Sequence, residues 1–161
     1  MVEPTDPRSS WSEYFSLMSQ LAATRSTCPR RAVGAVLVRE HRVIATGYNG
    51  APAGQPHCTE AGCLIENDHC VRTIHAEINA LLQCARYGIQ TAGVDLYCTD
   101  LPCRHCARSL VQAGIKTIYY LRPYESPETL SLIEATGVNL VRLPWPDLNL
   151  FSALWTHQSH D

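Results

Sequence analysis

The sequence predicts an α/β fold in a single domain of residues 1–161, with its core over about residues 11–143 and a tail over 144–161. The chain is 45% hydrophobic and 17% charged, which is typical of one soluble globular domain. Two adjacent apolar segments on either side of residue 40 are spaced as a β-hairpin. Beyond residue 74, helical and strand patterns alternate, and this alternation predicts parallel strands.

The first half of the chain predicts a helix, a hairpin and a long loop. Ser10-Trp11-Ser12-Glu13 is typical of a capping box, and the apolar residues that follow it recur at helical spacing. Strands are expected over 32–38 and 42–47, with the turn at 39–41. Residues 49–67 are rich in Pro, Gly and polar side chains, which predicts a loop long enough to be functional or tied down.

The second half predicts three helices and three strands in alternation. The helices are expected over 74–87, 103–113 and 127–136. Each is followed by a glycine that can end it, namely Gly88, Gly114 and Gly137. The strands are expected over 94–99, 116–121 and 138–143.

Charge and hydropathy exclude several classes of partner. Thirteen basic and fifteen acidic residues give a formal net charge of -2, so we expect no nucleic-acid surface, although a small basic pocket stays possible. No apolar run approaches the ~20 residues that span a bilayer. The acidic, proline-containing N-terminus is not typical of a secretory signal. We therefore expect a cytoplasmic protein with no membrane contact, in which thiols stay reduced.

Two pairs of residues at predicted helix starts indicate a metal site. Cys103 and Cys106 lie three positions apart, so their thiols share one helix face, and sulfur ligands favour zinc. A lone Cys-x-x-Cys also occurs in redox sites, so the inference depends on the second pair, His75 and Glu77. One imidazole and two thiolates leave a fourth coordination position open, which is the catalytic pattern.

Glu77 is badly placed to share the metal with His75, because positions two apart on a helix point about 200° away from each other. From the first helical turn its carboxylate could instead face a molecule bound above the metal. We therefore expect Glu77 to move protons to and from a water that zinc has activated.

These residues carry a family resemblance. His75-Ala76-Glu77 followed by Pro102-Cys103-x-x-Cys106 is similar to the signature of zinc-dependent cytidine deaminases. Segments 33–36, 47–52 and 70–77 resemble, more narrowly, the deoxycytidylate (dCMP) deaminase family, and the similarity runs over about residues 25–124. The resemblance implies a cytidine-deaminase-like three-layer α/β/α sandwich with a five-stranded mixed sheet.

The resemblance also implies an activity, the hydrolysis of dCMP to dUMP and ammonia, which supplies dUMP for thymidylate synthesis. His75, Cys103 and Cys106 would bind the catalytic Zn²⁺. Glu77 would take a proton from the attacking water and deliver protons to N3 and to the departing amine of cytosine. The backbone N–H of Ala76 would bind the pyrimidine O2.

The remaining substrate contacts follow from the same resemblance. Asn49 is expected to bind a sugar hydroxyl, and the carbonyl groups near Leu101 to receive the leaving ammonia. The 5′-phosphate needs cations or hydroxyls, and the positions favoured for it are Arg25, Ser26 and Tyr124.

Family members are commonly hexamers that dCTP activates and dTTP restrains. We therefore expect a homo-oligomer with nucleotide effectors, and Mg²⁺ bound with such a nucleotide. The segment 47–50 and Arg86 lie where regulation and subunit contacts are expected.

Three alternatives stay open. The substrate could be dCTP, deoxycytidine or a free base, or it could be adenosine in tRNA, which would need a basic surface that the net charge does not favour. The chain could also be a catalytically silent nucleotide sensor. Glu77 argues against a sensor, because a binding module gains nothing from a proton shuttle.

A second group of cysteines lies near the long loop and comprises Cys28, Cys58, Cys63 and Cys70. Four sulfur ligands would close a tetrahedral zinc site, which would be structural and would order the loop. His57 and His69 flank two of these cysteines and are alternative ligands, since some members of the family hold a second zinc with mixed Cys and His ligands. The other alternative is a set of reduced, half-buried thiols. Cys84 and Cys98 are expected in the core.

Overall fold

A five-stranded β-sheet forms the centre of the computed structural model, which describes residues 8–124 and 126–149. The helices are α1 (Trp11–Ala23), α2 (Cys58–Ala61), α3 (Ala76–Tyr87), α4 (Arg104–Gln112) and α5 (Pro127–Thr136). The strands are β1 (Gly34–Arg39), β2 (Arg42–Tyr48), β3 (Ile65–Glu66), β4 (His69–Cys70), β5 (Asp95–Asp100), β6 (Thr117–Arg122) and β7 (Asn139–Arg142). None of the described helices is long and apolar enough to cross a membrane. Residues 150–161 of the expected tail lie outside the described residues.

The sheet is mixed, with the strand order β2-β1-β5-β6-β7. β1 pairs antiparallel with β2 on one side and with β5 on the other. β5 with β6, and β6 with β7, are parallel pairs, which confirms the prediction from the alternating second half of the chain. The expected five-stranded mixed sheet is therefore confirmed.

Helices cover both faces of this sheet. Phe15 of α1 packs with Val36 and Tyr97 on one face. On the other face, Ala80 of α3, Leu110 of α4 and Ile133 of α5 share one apolar cluster with alternate residues of β1 and β5. Because successive strand residues point to opposite faces, β1 and β5 contribute to both clusters, and the result is three layers.

The local signals at helix ends act as the sequence predicts. The Ser10 hydroxyl accepts a hydrogen bond from the Glu13 N–H at 3.2 Å, and the Glu13 carboxylate accepts one from the Ser10 N–H at 2.8 Å. Gly88 and Gly137 end α3 and α5 in the left-handed conformation that glycine adopts without strain. The hairpin turn places Glu40 and His41 at positive φ, which matches the twist of the two strands.

The expected long loop over 49–67 contains short regular elements in its second part. α2 and the short β3–β4 hairpin lie within or directly after it. The hairpin turns at Asn67 and Asp68, both at positive φ. Elements of two to four residues are too short to show a periodic pattern, so the sequence does not reveal them.

Gly47 of β2 allows α3 to lie directly against the sheet. A Cβ atom at this position would overlap the Ala76 carbonyl oxygen and would lie 2.6 Å from the Ala80 nitrogen. Ala76 and Ala80 are both fully buried. The small residues at this contact therefore set the position of the first turn of α3.

Candidate active site

The first turns of α3 and α4 bring together one imidazole and two thiols. His75 is the N-cap residue of α3, Cys103 is the N-cap residue of α4, and Cys106 lies one turn further along α4. Their ligand atoms lie within 4.8 Å of one another. The His75 Nδ1 atom is 3.5 Å from the Cys103 Sγ atom and 3.4 Å from the Cys106 Sγ atom.

This donor set suits zinc. One nitrogen and two sulfur ligands from three residues leave a fourth tetrahedral position free for water or substrate. Hydrogen bonds with Cys106 and then with His75 lower the pKa of the Cys103 thiol. The hydrogen bond with Cys103 also raises the pKa of His75, although burial opposes it. The three side chains are thus already arranged as a polar cluster that a dication would complete.

Glu77 lies beside this cluster in the first turn of α3. Its side chain is buried, with 3% of the residue exposed. Burial raises the pKa of Glu77 to about 7, while its own backbone N–H donates to the carboxylate and opposes the shift. A carboxyl group with a raised pKa at the edge of a pocket is suited to take up and release protons near neutral pH.

A cavity of about 400 Å³ opens above these residues. His75, Glu77 and Cys103 line one part of it, together with two other predicted site residues, Asn49 and Ala76. Its size falls in the range of small-molecule sites. The structure therefore brings Glu77 and two of the three predicted zinc ligands to one pocket, and the buried Cys106 lies within 4.8 Å of both ligands.

The Asn49 side chain holds the backbone of Arg31 and Val33, which form part of one wall of the pocket. Its amide donates to the Arg31 carbonyl at 2.8 Å, and its carbonyl accepts from the Val33 N–H at 2.9 Å. Asn49 is 6% exposed and lines the cavity. One N–H and one lone pair of the amide therefore remain for a ligand.

The pocket presents different phosphate-binding candidates from those expected. Tyr124 lines it, as predicted, but Arg25 and Ser26 are not among the residues that line it. The Ser26 hydroxyl instead accepts from the Cys28 N–H and donates to the Asn49 carbonyl, both at 3.2 Å, so it stabilises the local turn. Arg25 lies on the exposed surface.

Arg30 and Arg31 line the pocket, and neither is among the residues that the sequence predicts for it. The Arg31 guanidinium carbon lies 5.7 Å from the centre of the Tyr124 ring, at cation–π distance. The available signal was the pair of adjacent arginines itself, but adjacent arginines are common on exposed surfaces. Only the fold of residues 24–33 distinguishes them from Arg25.

A second thiol cluster adjoins the pocket through Cys70. The sulfur atoms of Cys58, Cys63 and Cys70 lie within 4.8 Å of one another, and the Cys58–Cys70 distance is 3.6 Å. Burial alone would raise the pKa of the Cys70 thiol, but backbone N–H donors, that of Arg72 first, and the Cys58 thiol lower it to about 7.

The fourth expected ligand, Cys28, is not a member of this close group. Cys28 lines the active-site pocket together with Cys70 and His69. His57 caps α2, and its Nδ1 atom is buried without a hydrogen-bond partner among the described residues. The structure therefore groups three of the four predicted thiols and leaves three candidates for a fourth ligand nearby.

The model of the cytidine and deoxycytidylate deaminase zinc-binding region matches residues 9–122. The chain belongs to this family. The matched range begins just before α1 and ends with β6, so it contains the whole cluster of His75, Glu77, Cys103 and Cys106. The family resemblance expected from the sequence is thereby confirmed.

Curated relatives agree with this membership. ComE operon protein 2 of Bacillus subtilis is 52% identical over 134 residues, which cover 83% of this chain and 71% of the relative. Deoxycytidylate deaminase of Schizosaccharomyces pombe is 42% identical over 161 residues, which cover 94% of this chain and 49% of the relative. The chain therefore spans about half the length of that fungal protein.

A solved structure shares the fold. The crystal structure of dCMP deaminase from the cyanophage S-TIM5, in complex with dCMP and dUMP, has a TM-score of 0.73 and 31% identity. The alignment covers 81% of this chain and 95% of that chain. The expected cytidine-deaminase-like α/β fold is confirmed by this match.

Proposed function

We propose that this chain catalyses the zinc-dependent hydrolytic deamination of dCMP to dUMP and ammonia, which supplies dUMP for thymidylate synthesis. The observation that carries the proposal is the buried Glu77 beside the cluster of His75, Cys103 and Cys106, at a pocket with arginines on its wall. The names of the fungal and phage relatives support the choice of dCMP.

The chemistry replaces the exocyclic amine on C4 of cytosine with the oxygen of water. His75, Cys103 and Cys106 would hold zinc, which activates water as a nucleophile near neutral pH when it is bound. Glu77 accepts a proton from the attacking water and transfers it to N3, and then takes the remaining proton from the oxygen on C4 and delivers it to the amine. The C4–N bond breaks, ammonia leaves, and a C4 carbonyl remains.

Groups around Glu77 orient the base and the sugar. The Ala76 N–H belongs to the first turn of α3, where backbone N–H groups have no partner within the helix, and it binds the pyrimidine O2. Asn49 binds a sugar hydroxyl through the amide N–H and the oxygen lone pair that do not bond the backbone of Arg31 and Val33. The carbonyl groups near Leu101, which also lines the pocket, receive the ammonia.

Arg30, Arg31 and Tyr124 bind the 5′-phosphate. Guanidinium groups match phosphate oxygens with paired N–H donors, and Tyr124 adds a hydroxyl. This assignment replaces Arg25 and Ser26, which do not line the pocket. The arginines also favour a phosphorylated substrate over deoxycytidine or a free base.

The direct test is a deamination assay on dCMP, dCTP, deoxycytidine and cytosine, each with and without dCTP and Mg²⁺. Ammonia release and the loss of cytosine absorbance are both followed. We expect dCMP to have the highest kcat/KM. A preference for an unphosphorylated substrate would contradict the specificity, and no turnover of any of the four would favour the nucleotide-sensor alternative.

We also propose a second, structural zinc that Cys58, Cys63 and Cys70 hold with Cys28. The three close sulfur atoms support it, since thiols so near one another are typical of a metal site. Burial is the main cause that raises the pKa of the Cys63 thiol, and Cys70 and Cys28 raise it further. Cys28 therefore lies near the three close sulfur atoms. His69 and His57 are the alternative fourth ligands.

The chain is further proposed to act as a cytoplasmic homo-oligomer, a hexamer, with dCTP and dTTP as effectors and Mg²⁺ bound with the nucleotide. An apolar groove between α3 and α4, which includes Leu81 and the half-exposed Leu82, supports contact with a second copy. None of the eight cysteines is paired in a disulfide, which is usual in a reducing compartment. Light scattering with and without each nucleotide measures the assembly and its response.

A further inference from the structure

Asp100, the last residue of β5, is a buried carboxylate shared by two arginines. Its side chain is 7% exposed. Oδ1 lies 2.5 Å from an Arg31 nitrogen, and Oδ2 accepts from Arg122 at 2.9 Å and from the Thr99 hydroxyl at 2.7 Å. A buried carboxylate needs such partners, because removing its charge from water is costly.

The two arginines differ in what they reach. Arg122 also donates to the Ala32 carbonyl at 2.9 Å, so it joins β6 to the chain that precedes β1. Arg31 is 41% exposed in its side chain, lines the active-site pocket and lies over the Tyr124 ring. Asp100 therefore links the Arg31 guanidinium, which lies at the pocket, to Arg122, which is held at the end of β6.

Main-chain contacts hold the other end of Arg31. Asn49 accepts from the Val33 N–H and donates to the Arg31 carbonyl, so the backbone on which Arg31 sits is fixed. With the backbone held by Asn49 and the guanidinium held by Asp100, the long side chain between them has little freedom left. The remaining N–H donors of the guanidinium are then available to a ligand in the pocket.

We propose that Asp100 is a positioning residue that holds the Arg31 guanidinium ready for the 5′-phosphate of the substrate and so sets the preference for a nucleotide. The inference rests on the proposed function, because it names the device by which that site distinguishes dCMP from deoxycytidine. Asp100 also lines the pocket, but its oxygens face Arg31, Arg122 and Thr99, so it acts through Arg31. A side chain that is ordered before binding loses less entropy when the phosphate arrives.

The experiment compares wild type, Asp100→Asn, Arg31→Gln and the double variant. Asp100→Asn should raise KM for dCMP by about 3- to 10-fold, the cost of ordering one long side chain on binding. The kcat for dCMP and the inhibition constant of deoxyuridine, which lacks a phosphate, should not change. In the Arg31→Gln background, Asp100→Asn should add nothing. Arg108→Gln, an exposed arginine on α4, is the matched control.

Several outcomes would overturn the proposal. An unchanged or lowered KM for dCMP in Asp100→Asn would mean that the carboxylate does not prepare Arg31. An equal loss for deoxyuridine, or additive losses in the double variant, would assign Asp100 a purely structural role. If wild type turns over no dCMP at all, the proposed function has failed instead, so the two failures are distinguishable.

Asp100→Asn leaves two arginines near an uncharged side chain and could unfold the chain. Thermal unfolding and zinc content are therefore measured for each variant, and Asp100→Ser, which leaves room for water around the arginines, replaces a variant that does not fold. A nitrogen NMR spectrum of the arginine side chains tests the wild-type protein directly, with Arg31→Gln for assignment. Free rotation of the Arg31 guanidinium before substrate is added would also overturn the proposal.

Discussion

The Nδ1 atom of His75 lies 3.4 Å from the Sγ atom of Cys106, although the two residues are 31 positions apart. The distance depends on how α3 and α4 are placed by the strands that precede them. β5 runs between the two helices in the chain and sits at the centre of the sheet. The starts of α3 and α4 therefore lie close together at one end of the central strand β5.

Replacing one sulfur ligand should remove the catalytic zinc. Cys106 is 1% exposed. Cys106→Ser therefore replaces a buried thiolate, one of the three predicted zinc ligands, with a hydroxyl. We expect the zinc content to fall by about one ion per chain and deamination to be lost. Metal analysis by atomic emission measures the first and ammonia release the second. Cys84→Ala, a buried thiol outside both clusters, is the control and should keep its zinc.

Glu77→Gln should separate proton transfer from metal binding. The amide keeps the shape and the burial of the side chain but cannot shuttle a proton. We expect kcat to fall by about 100- to 10,000-fold, the contribution of a positioned acid–base group. Zinc content should stay at the wild-type level, because Glu77 lies outside the proposed ligand set of His75, Cys103 and Cys106. Glu128→Gln on the exposed surface of α5 is the control. Retained activity in Glu77→Gln would refute the mechanism.

Cys63→Ser should affect the second metal and spare the first. We expect the zinc content to fall by about one ion per chain and the unfolding temperature to fall, because a structural zinc contributes to folding free energy. The residual zinc should still be held by His75, Cys103 and Cys106. A wild-type protein that purifies with only about one zinc per chain would reject the second site.

The contact between β2 and α3 can be tested by adding one methyl group. In Gly47→Ala the new Cβ would overlap the Ala76 carbonyl oxygen, and backbone atoms cannot move aside without moving the helix. We expect a loss of about 1–3 kcal/mol in the free energy of unfolding, together with weaker zinc retention during dialysis against a chelator. Thr46→Ala, at an exposed neighbouring position in the same strand, should have little effect on either measurement. Equal zinc retention in both variants would show that α3 does not need this close approach.

Much of the fold could be predicted because its signals are local. Ser10 and Glu13 lie one helical turn apart, and their reciprocal hydrogen bonds depend on nothing further away. Cys103 and Cys106 belong to the same turn, so their spacing alone predicts a shared ligand face. The alternation of strands and helices after residue 74 likewise predicts parallel pairing, and both parallel pairs are present.

The phosphate-binding candidates could not be predicted in this way. Arg25 and Arg31 are alike in sequence, and the segment that carries them has no periodic pattern. Arg31 reaches the pocket because Asn49 holds its backbone and Asp100 its guanidinium. Asn49 and Asp100 lie 18 and 69 positions further along the chain, and no local rule connects them with Arg31.

The sequence by itself predicted the chemistry proposed for this protein, because candidate zinc ligands and a candidate proton-transferring carboxylate are recognisable from residue type and from spacing within one helical turn. Only the tertiary structure decided which charges line the pocket and which thiols form a group. Three of the four cysteines near the loop, Cys58, Cys63 and Cys70, form a close group, while Cys28 lies near them at the pocket wall. These outcomes depend on side chains that meet across long stretches of chain, where packing and buried charge, rather than local spacing, determine the neighbours.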